Sequence, residues 1–299
     1  MTRIEEFGWR GELEGGIGRV VSAHGDYYHL VCNEAAGEII ARKKKSLFTR
    51  MKSAAPENMR PMKTSFKLPI EEGSAASVVK PMTGDFVRFR YNAQGDSLIT
   101  EVLPRFSKFE RRDPAARRSA QVLAVNFDTL FIMTSLNEDF SLPRISRFLS
   151  LAEDMGEAEC VLLLTKADLE GEGKAAGLED LEETVGGRAR ILKISSLTGE
   201  GLEDVLPYVK PQRTVAFIGS SGVGKSTLLN VLAGEELVAT QAIQEWSGKG
   251  RHTTTSRELI KLPSGALVVD TPGIREIGRI DEDDLFLAKG VSTHRWRVK

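Results

Sequence analysis

Residues 214–233, TVAFIGSSGVGKSTLLNVLA, are the stretch whose reading decides the fold. An apolar strand, Thr214–Ile218, runs into Gly219-Ser220-Ser221-Gly222-Val223-Gly224-Lys225-Ser226-Thr227, and a helix is expected over Thr227–Ala233. The middle segment matches G-x-x-x-x-G-K-[ST], and strand, loop, helix is the context that pattern requires. The glycines let backbone N–H groups wrap around a polyphosphate. Lys225 brings a point charge to the β- and γ-phosphates, and the Ser226 hydroxyl is placed to ligate Mg²⁺.

Working outward, apolar strands alternate with helical patterns from Gln121 on. Thr129–Thr134, Cys160–Leu164, Ile191–Ile194 and Ala266–Val269 read as strands, and Ser141–Met155 repeats its apolar residues at a helical period. This alternation predicts an α/β domain with a mostly parallel sheet. Ligands of such sheets bind outside the strand carboxyl ends, and motifs lie there. Thr165-Lys166-Ala167-Asp168 follows one strand and is similar to the [N/T]-K-x-D motif that reads guanine in GTPases: the Asp168 carboxylate can accept from both N1–H and the 2-amino group. Ser195 and Ser196 follow the next strand, in the position of the loop that backs the base. Asp270-Thr271-Pro272-Gly273 matches D-x-x-G, with Asp270 reaching Mg²⁺ through water and the Gly273 N–H meeting the γ-phosphate. Thr253-Thr254-Thr255 lies between the phosphate loop and D-x-x-G, where a switch threonine closes on the metal; Thr254 is the candidate ligand.

The amino-terminal part reads differently. Gly16–Ala23, Tyr27–Val31, Glu38–Ala41, Asp85–Tyr91 and Ser97–Leu103 are short strands separated by turn residues. Five such strands suggest a small barrel of OB type, though an SH3-like barrel gives much the same pattern. Residues 105–120 read as a basic connector. Net charge is −1, but the average hides an asymmetry: residues 1–118 hold 21 Lys and Arg against 15 Asp and Glu, and residues 119–299 hold 20 against 27. Within 42–67 nine basic residues, among them Arg42, Lys43, Lys44, Lys45, Arg50 and Lys52, face Glu57 alone, a composition suited to a polyanion such as RNA.

Bulk properties close off other classes. With 41% hydrophobic and 28% charged residues, disordered and fibrous readings are excluded, and 299 residues suggest two domains. No apolar run approaches the ~18 residues needed to cross a bilayer, no secretory h-region opens the sequence, and no membrane partner is expected. Two cysteines, Cys32 and Cys160, make neither a disulfide framework nor a disulfide-linked partner, and the cytoplasm is the expected compartment.

Motif order is the informative anomaly. The base motif at 165 and its supporting loop at 195 precede the phosphate loop at 219, the threonines at 253 and D-x-x-G at 270, so the domain is circularly permuted. Together with a basic barrel, Gly250-Arg251-His252-Thr253-Thr254-Thr255 and Asp270–Glu276, this order resembles the RsgA (YjeQ) family of bacterial GTPases that act in late maturation of the small ribosomal subunit. The resemblance implies a barrel over 1–104, a permuted P-loop GTPase domain over 121–280, a 30S and 16S rRNA partner, and GTP hydrolysis with Mg²⁺. It also implies a carboxyl-terminal zinc domain. Residues 281–299 do not resemble one: no cysteine lies beyond Cys160, and His294 alone cannot hold zinc. This ending reads as a truncated or frameshifted product, or as a lineage without that domain.

Where fast GTPases place a water-orienting Gln after D-x-x-G, this sequence has Ile274. Slow intrinsic turnover is expected, with His252 the candidate to position water, since the family carries a histidine just before the switch threonines. Thr165 offers one hydroxyl where Asn offers two polar groups, so weaker guanine affinity is expected. The alternatives are a nucleotide-gated RNA-binding module with little turnover, an ATP-using P-loop enzyme, and a basic structural protein with a vestigial site.

Overall fold

The computed structural model describes residues 2–13, 15–43, 80–111, 121–169, 177–234 and 258–270. Five strands, β1 (Ile17–His24), β2 (Tyr27–Cys32), β3 (Ile39–Lys43), β4 (Phe86–Arg90) and β5 (Ser97–Val102), close into a barrel. Neighbours run β1-β2-β3-β5-β4 and back to β1, antiparallel throughout except for β3 beside β5. This is the OB-type barrel. Its core is Val20, Tyr28, Leu30, Ala41, Val87, Phe89 and Ile99. A four-residue helix, α1 (Arg3–Glu6), leads into it, with Ile4 fully buried.

The stretch read as a basic connector contains structure. Lys108–Arg111 forms β6 and pairs antiparallel with β7 (Gln121–Val125). Its charges hide the reason: Phe109 is fully buried among the hydrophobic side chains of the following domain. That domain is built on β8 (Thr129–Ser135), β9 (Glu159–Thr165), β10 (Arg190–Lys193), β11 (Thr214–Gly219), β12 (Glu258–Lys261) and β13 (Leu267–Asp270). The spatial order is β10-β9-β8-β11-β13-β12, all parallel except β12. Side chains alternate between the two faces. Leu130, Ile132, Leu162 and Ile218 meet Ile145, Phe148 and Leu149 of helix α2 (Leu142–Ala152). On the other face Phe131, Leu163 and Phe217 meet Leu228 and Leu229 of helix α4 (Lys225–Ala233), and the Phe131 and Phe217 rings stack at 5.0 Å. A short helix, α3 (Leu181–Val185), packs beside α2.

Barrel and domain share one sheet. β1 closes the barrel against β4 through Ile17–Arg19; further on, Ser22 pairs with Glu258 of β12. A bulge between Val20 and Ser22 makes this possible, because it sends Val20 into the barrel core and Val21 into the core of the larger domain. Arg19, beside that bulge, is 1% exposed. Its guanidinium donates to Phe7 O (2.5 Å), Thr214 Oγ1 (3.0 Å) and Asn126 O (2.8 Å), and lies 4.6 Å from the Phe86 ring centroid. Burial pulls its pKa down to about 9, against the raising fields of Asp128 and Asp85. Gly8 is required for this approach: its φ is +84°, and a Cβ there would stand 2.8 Å from the Arg19 guanidinium. Asp85, with no exposed surface, accepts from the Nε and Nη2 of Arg105 at 2.7 and 2.8 Å, and Asn126 donates to Gly84 O at 3.1 Å.

Replacing Arg19 by Met keeps the stem's volume and removes three buried donors. The variant is expected to lose about 2–5 kcal/mol of unfolding free energy in urea titrations followed by circular dichroism. A loss within ~0.5 kcal/mol, the range of a neutral surface change, would mean that the barrel is held by its strand pairing alone.

Candidate functional site

Every strand that ends in a sequence motif ends on the same edge of the sheet. β11 delivers the phosphate loop, β9 the base motif, β10 the supporting loop and β13 the start of D-x-x-G. β11 lies centrally between β8 and β13, so Gly219–Lys225 is flanked by one strand end on each side.

Gly219 leaves no room for a side chain: a Cβ would approach Met133 O to 2.7 Å. Gly222 and Gly224 take left-handed conformations (φ +77° and +101°), turning the chain so that Gly224 caps α4. Helix α4 starts at Lys225, two residues before the position expected from sequence, so Lys225, Ser226 and Thr227 all lie in its first turn. A helix amino terminus carries partial positive charge and unpaired N–H groups, which suits a phosphate. Ser220, Lys225 and Ser226 are half-buried, Ser221 and Thr227 exposed, and Val223 packs inward at 2% exposure.

Single hydroxyls tie the base motif to the phosphate loop and the supporting loop to the base motif. The Thr165 Oγ1 donates to Val223 O at 2.6 Å, with Thr134 O at 3.2 Å, and Thr165 is itself buried. The one hydroxyl of Thr165 is thereby committed to the phosphate loop. Lys166 is held at φ +59°, a strained conformation for a non-glycine residue, and opens a 3₁₀ turn over Ala167–Leu169. Ser195 Oγ donates to Asp168 Oδ1 at 2.5 Å and accepts from the Leu197 and Thr198 N–H groups, each at 3.2 Å. The Asp168 carboxylate is thus oriented by the neighbouring loop, which leaves Oδ2 and the remaining lone pairs for a ligand with two adjacent donors. Ser196 is half-buried beside it, with no orienting role of its own among the contacts described.

Other expected residues stand differently. Asp270 ends β13 next to β11, while Thr253, Thr254, His252 and Gly273 lie outside the described residues. So do Lys44, Lys45, Arg50 and Lys52 of the basic stretch. Arg42 is engaged within the barrel: it lies over the Tyr27 ring (4.4 Å), donates to the Tyr27 hydroxyl (2.6 Å) and pairs with Asp96 (2.5 Å). Lys43 follows it on β3, its pKa lowered first by burial and then by Lys80. Among the described residues no three His, Cys, Asp or Glu gather as a metal centre, and no helix is long and apolar enough to cross a membrane. Sequence reasoning missed one participant, Asp139, which accepts a hydrogen bond from Ser220.

Thr165→Val removes the hydroxyl that donates to the Val223 carbonyl. It is expected to cost about 1–2 kcal/mol of stability in thermal or urea unfolding, with Thr165→Ser close to wild type.

The comparisons agree with this geometry. The family model for the RsgA GTPase matches residues 102–280. A Lactiplantibacillus plantarum protein named small ribosomal subunit biogenesis GTPase RsgA 2 is 40% identical over 263 residues, covering 87% of this chain and 66% of its own length. The Opitutus terrae protein named small ribosomal subunit biogenesis GTPase RsgA is 40% identical over 225 residues, 72% of this chain and 60% of its own. The chain therefore spans a little under two thirds of the length of these curated relatives. The crystal structure of YjeQ from Thermotoga maritima superposes with a TM-score of 0.56 at 26% identity, over 86% of this chain and 74% of that one. With an OB-type barrel ahead of a permuted nucleotide-binding sheet and a family match over more than half its length, the chain belongs to the RsgA GTPase family.

Proposed function

We propose that this chain binds GTP on the carboxyl edge of its sheet, hydrolyses it to GDP and phosphate, and works on the small ribosomal subunit in the cytoplasm. The observation that carries the reading is the linked pair of loops: Thr165 ties the base motif to the phosphate loop, and Ser195 aims Asp168. Asp168 accepts from guanine N1–H and the 2-amino group, a pair adenine does not offer, so GTP is preferred to ATP. The loop N–H groups and Lys225 hold the β- and γ-phosphates. Ser226, in the first turn of α4, and Asp270, at the end of the adjacent parallel strand, are oxygen donors of the kind Mg²⁺ takes. When bound, the ion offsets phosphate charge. Water attacks the γ-phosphorus, and the bond to the β–γ bridging oxygen breaks. Ile274 cannot orient that water, so His252 is assigned to it and Thr254 to the closed switch. Turnover is slow until a partner completes the site.

The partner reading rests on charge and on the names of the relatives. The barrel and its 42–67 stretch supply the basic surface for 16S rRNA, with Arg42 contributing through its stack on Tyr27.

GTP hydrolysis with and without purified small subunits, at low and moderate salt, tests the reading. Stimulation that weakens with salt is expected; bound GDP with no stimulation at either salt would make the chain a nucleotide-gated binding module. Asp168→Asn should cut the preference for guanine over xanthine nucleotides by about a hundredfold or more, because the amide donates to the xanthine 2-oxo group. His252→Ala should lower stimulated turnover far more than GTP affinity, and an equal fall in both would remove its catalytic role.

A further inference from the structure

Ser220, the second residue of the phosphate loop, donates its hydroxyl proton to Asp139 Oδ2. Asp139 lies between β8 and α2, and the loop motif does not call for a carboxylate there. A negative charge beside a loop built for phosphates is adverse unless it is taken up locally. Arg144 takes it up, with Nη1 at 2.9 Å from Oδ1 and 3.1 Å from the Asp139 carbonyl. The segment is internally braced. Ser135 Oγ and the Asp139 N–H both donate to Asn137 Oδ1 (2.7 and 3.1 Å), and the Phe140 N–H donates to Asn137 O (3.0 Å). Its other end is joined to the base strand by Leu136 N–H to Thr165 O at 2.8 Å, and Thr165 in turn holds Val223. Ser220 and Val223 bound the turn of the phosphate loop, so both of its ends are fixed by side chains of one connected group.

We propose that Asp139 is a positioning residue for the β-phosphate of the bound nucleotide: by holding Ser220 it sets the loop's backbone donors before the ligand arrives. The inference rests on the nucleotide reading above. Pre-ordering removes the cost of fixing the loop from the binding free energy, and that saving belongs to the phosphates the loop contacts, not to the base. Arg144 keeps the carboxylate from opposing those phosphates.

The test is competitive titration of GDP and GMP against a fluorescent guanine nucleotide, for wild type, Asp139→Ala, Ser220→Ala and the double variant. The expected result for each single variant is a fall in GDP affinity of about tenfold or more. GMP, which lacks the β-phosphate, should stay within about twofold, and the apo melting temperature within about 2 °C. The double variant should be no weaker than the worse single one, because both remove the same contact. Parallel losses for GDP and GMP, additive losses in the double variant, or unchanged GDP affinity would each overturn the assignment. Ser220→Ala alone decides it if Asp139→Ala does not fold. Wild-type chain that binds no GDP would remove the nucleotide reading and this inference with it, an outcome visible before any variant is measured.

Discussion

A guanidinium with no route to water holds the molecule together. Arg19 is a barrel residue by sequence and strand, yet its three donated hydrogen bonds end on the amino-terminal loop, the entry to β11 and the turn before β8. Burying an arginine is costly, as its lowered pKa reflects, and the cost is tolerable only while every acceptor stays in place. Those acceptors include Thr214, the first residue of the strand whose last residue opens the phosphate loop. The rigid strand between them fixes where that loop emerges. The same logic holds at Asp85 and Asp128, buried carboxylates satisfied by Arg105, Arg213 and backbone N–H groups at the seam. Polar contacts of this kind specify a single docking geometry, where apolar contact alone would tolerate sliding.

The nucleotide edge follows a second rule: loops distant in sequence are tied to one another by short hydroxyl side chains. Thr165, Ser195 and Ser220 each reach a neighbouring loop, and each has few rotamers to lose. Circular permutation leaves this intact, because the edge depends on spatial strand order and not on the order in which the chain visits it. What permutation changes is the exit. β13, which starts D-x-x-G, is the last described element, and its antiparallel partner β12 is the strand paired to the barrel. The segments expected to respond to the γ-phosphate therefore flank a hairpin that touches both units.

The phosphate loop, the strand alternation and the barrel were legible in the sequence because their signals are local: a glycine spacing, a period, a turn residue between apolar runs. β6 was not, since Lys108-Phe109-Glu110-Arg111 looks like linker until the burial of Phe109 is known. β12 was not either; Glu258–Lys261 is only four residues, and what makes it a strand is a neighbour on each side. Arg19 counts as positive charge in composition and acts as a buried crosslink. Asp139 escaped because its partner, Ser220, is 81 residues away, and no periodicity encodes such a contact. The base motif was readable as a motif, while the commitment of its threonine hydroxyl to Val223 required coordinates.

The pairing of Ser22 with Glu258 also sets a timetable. The barrel strands are made early, and the strand that covers the outer side of β1 leaves the ribosome more than two hundred residues later. During that interval part of β1 presents unpaired backbone groups, and Val21 has no core to enter. Pairings this distant in sequence close slowly. The nascent barrel must therefore wait, half-edged, until the far end of the nucleotide domain has been made.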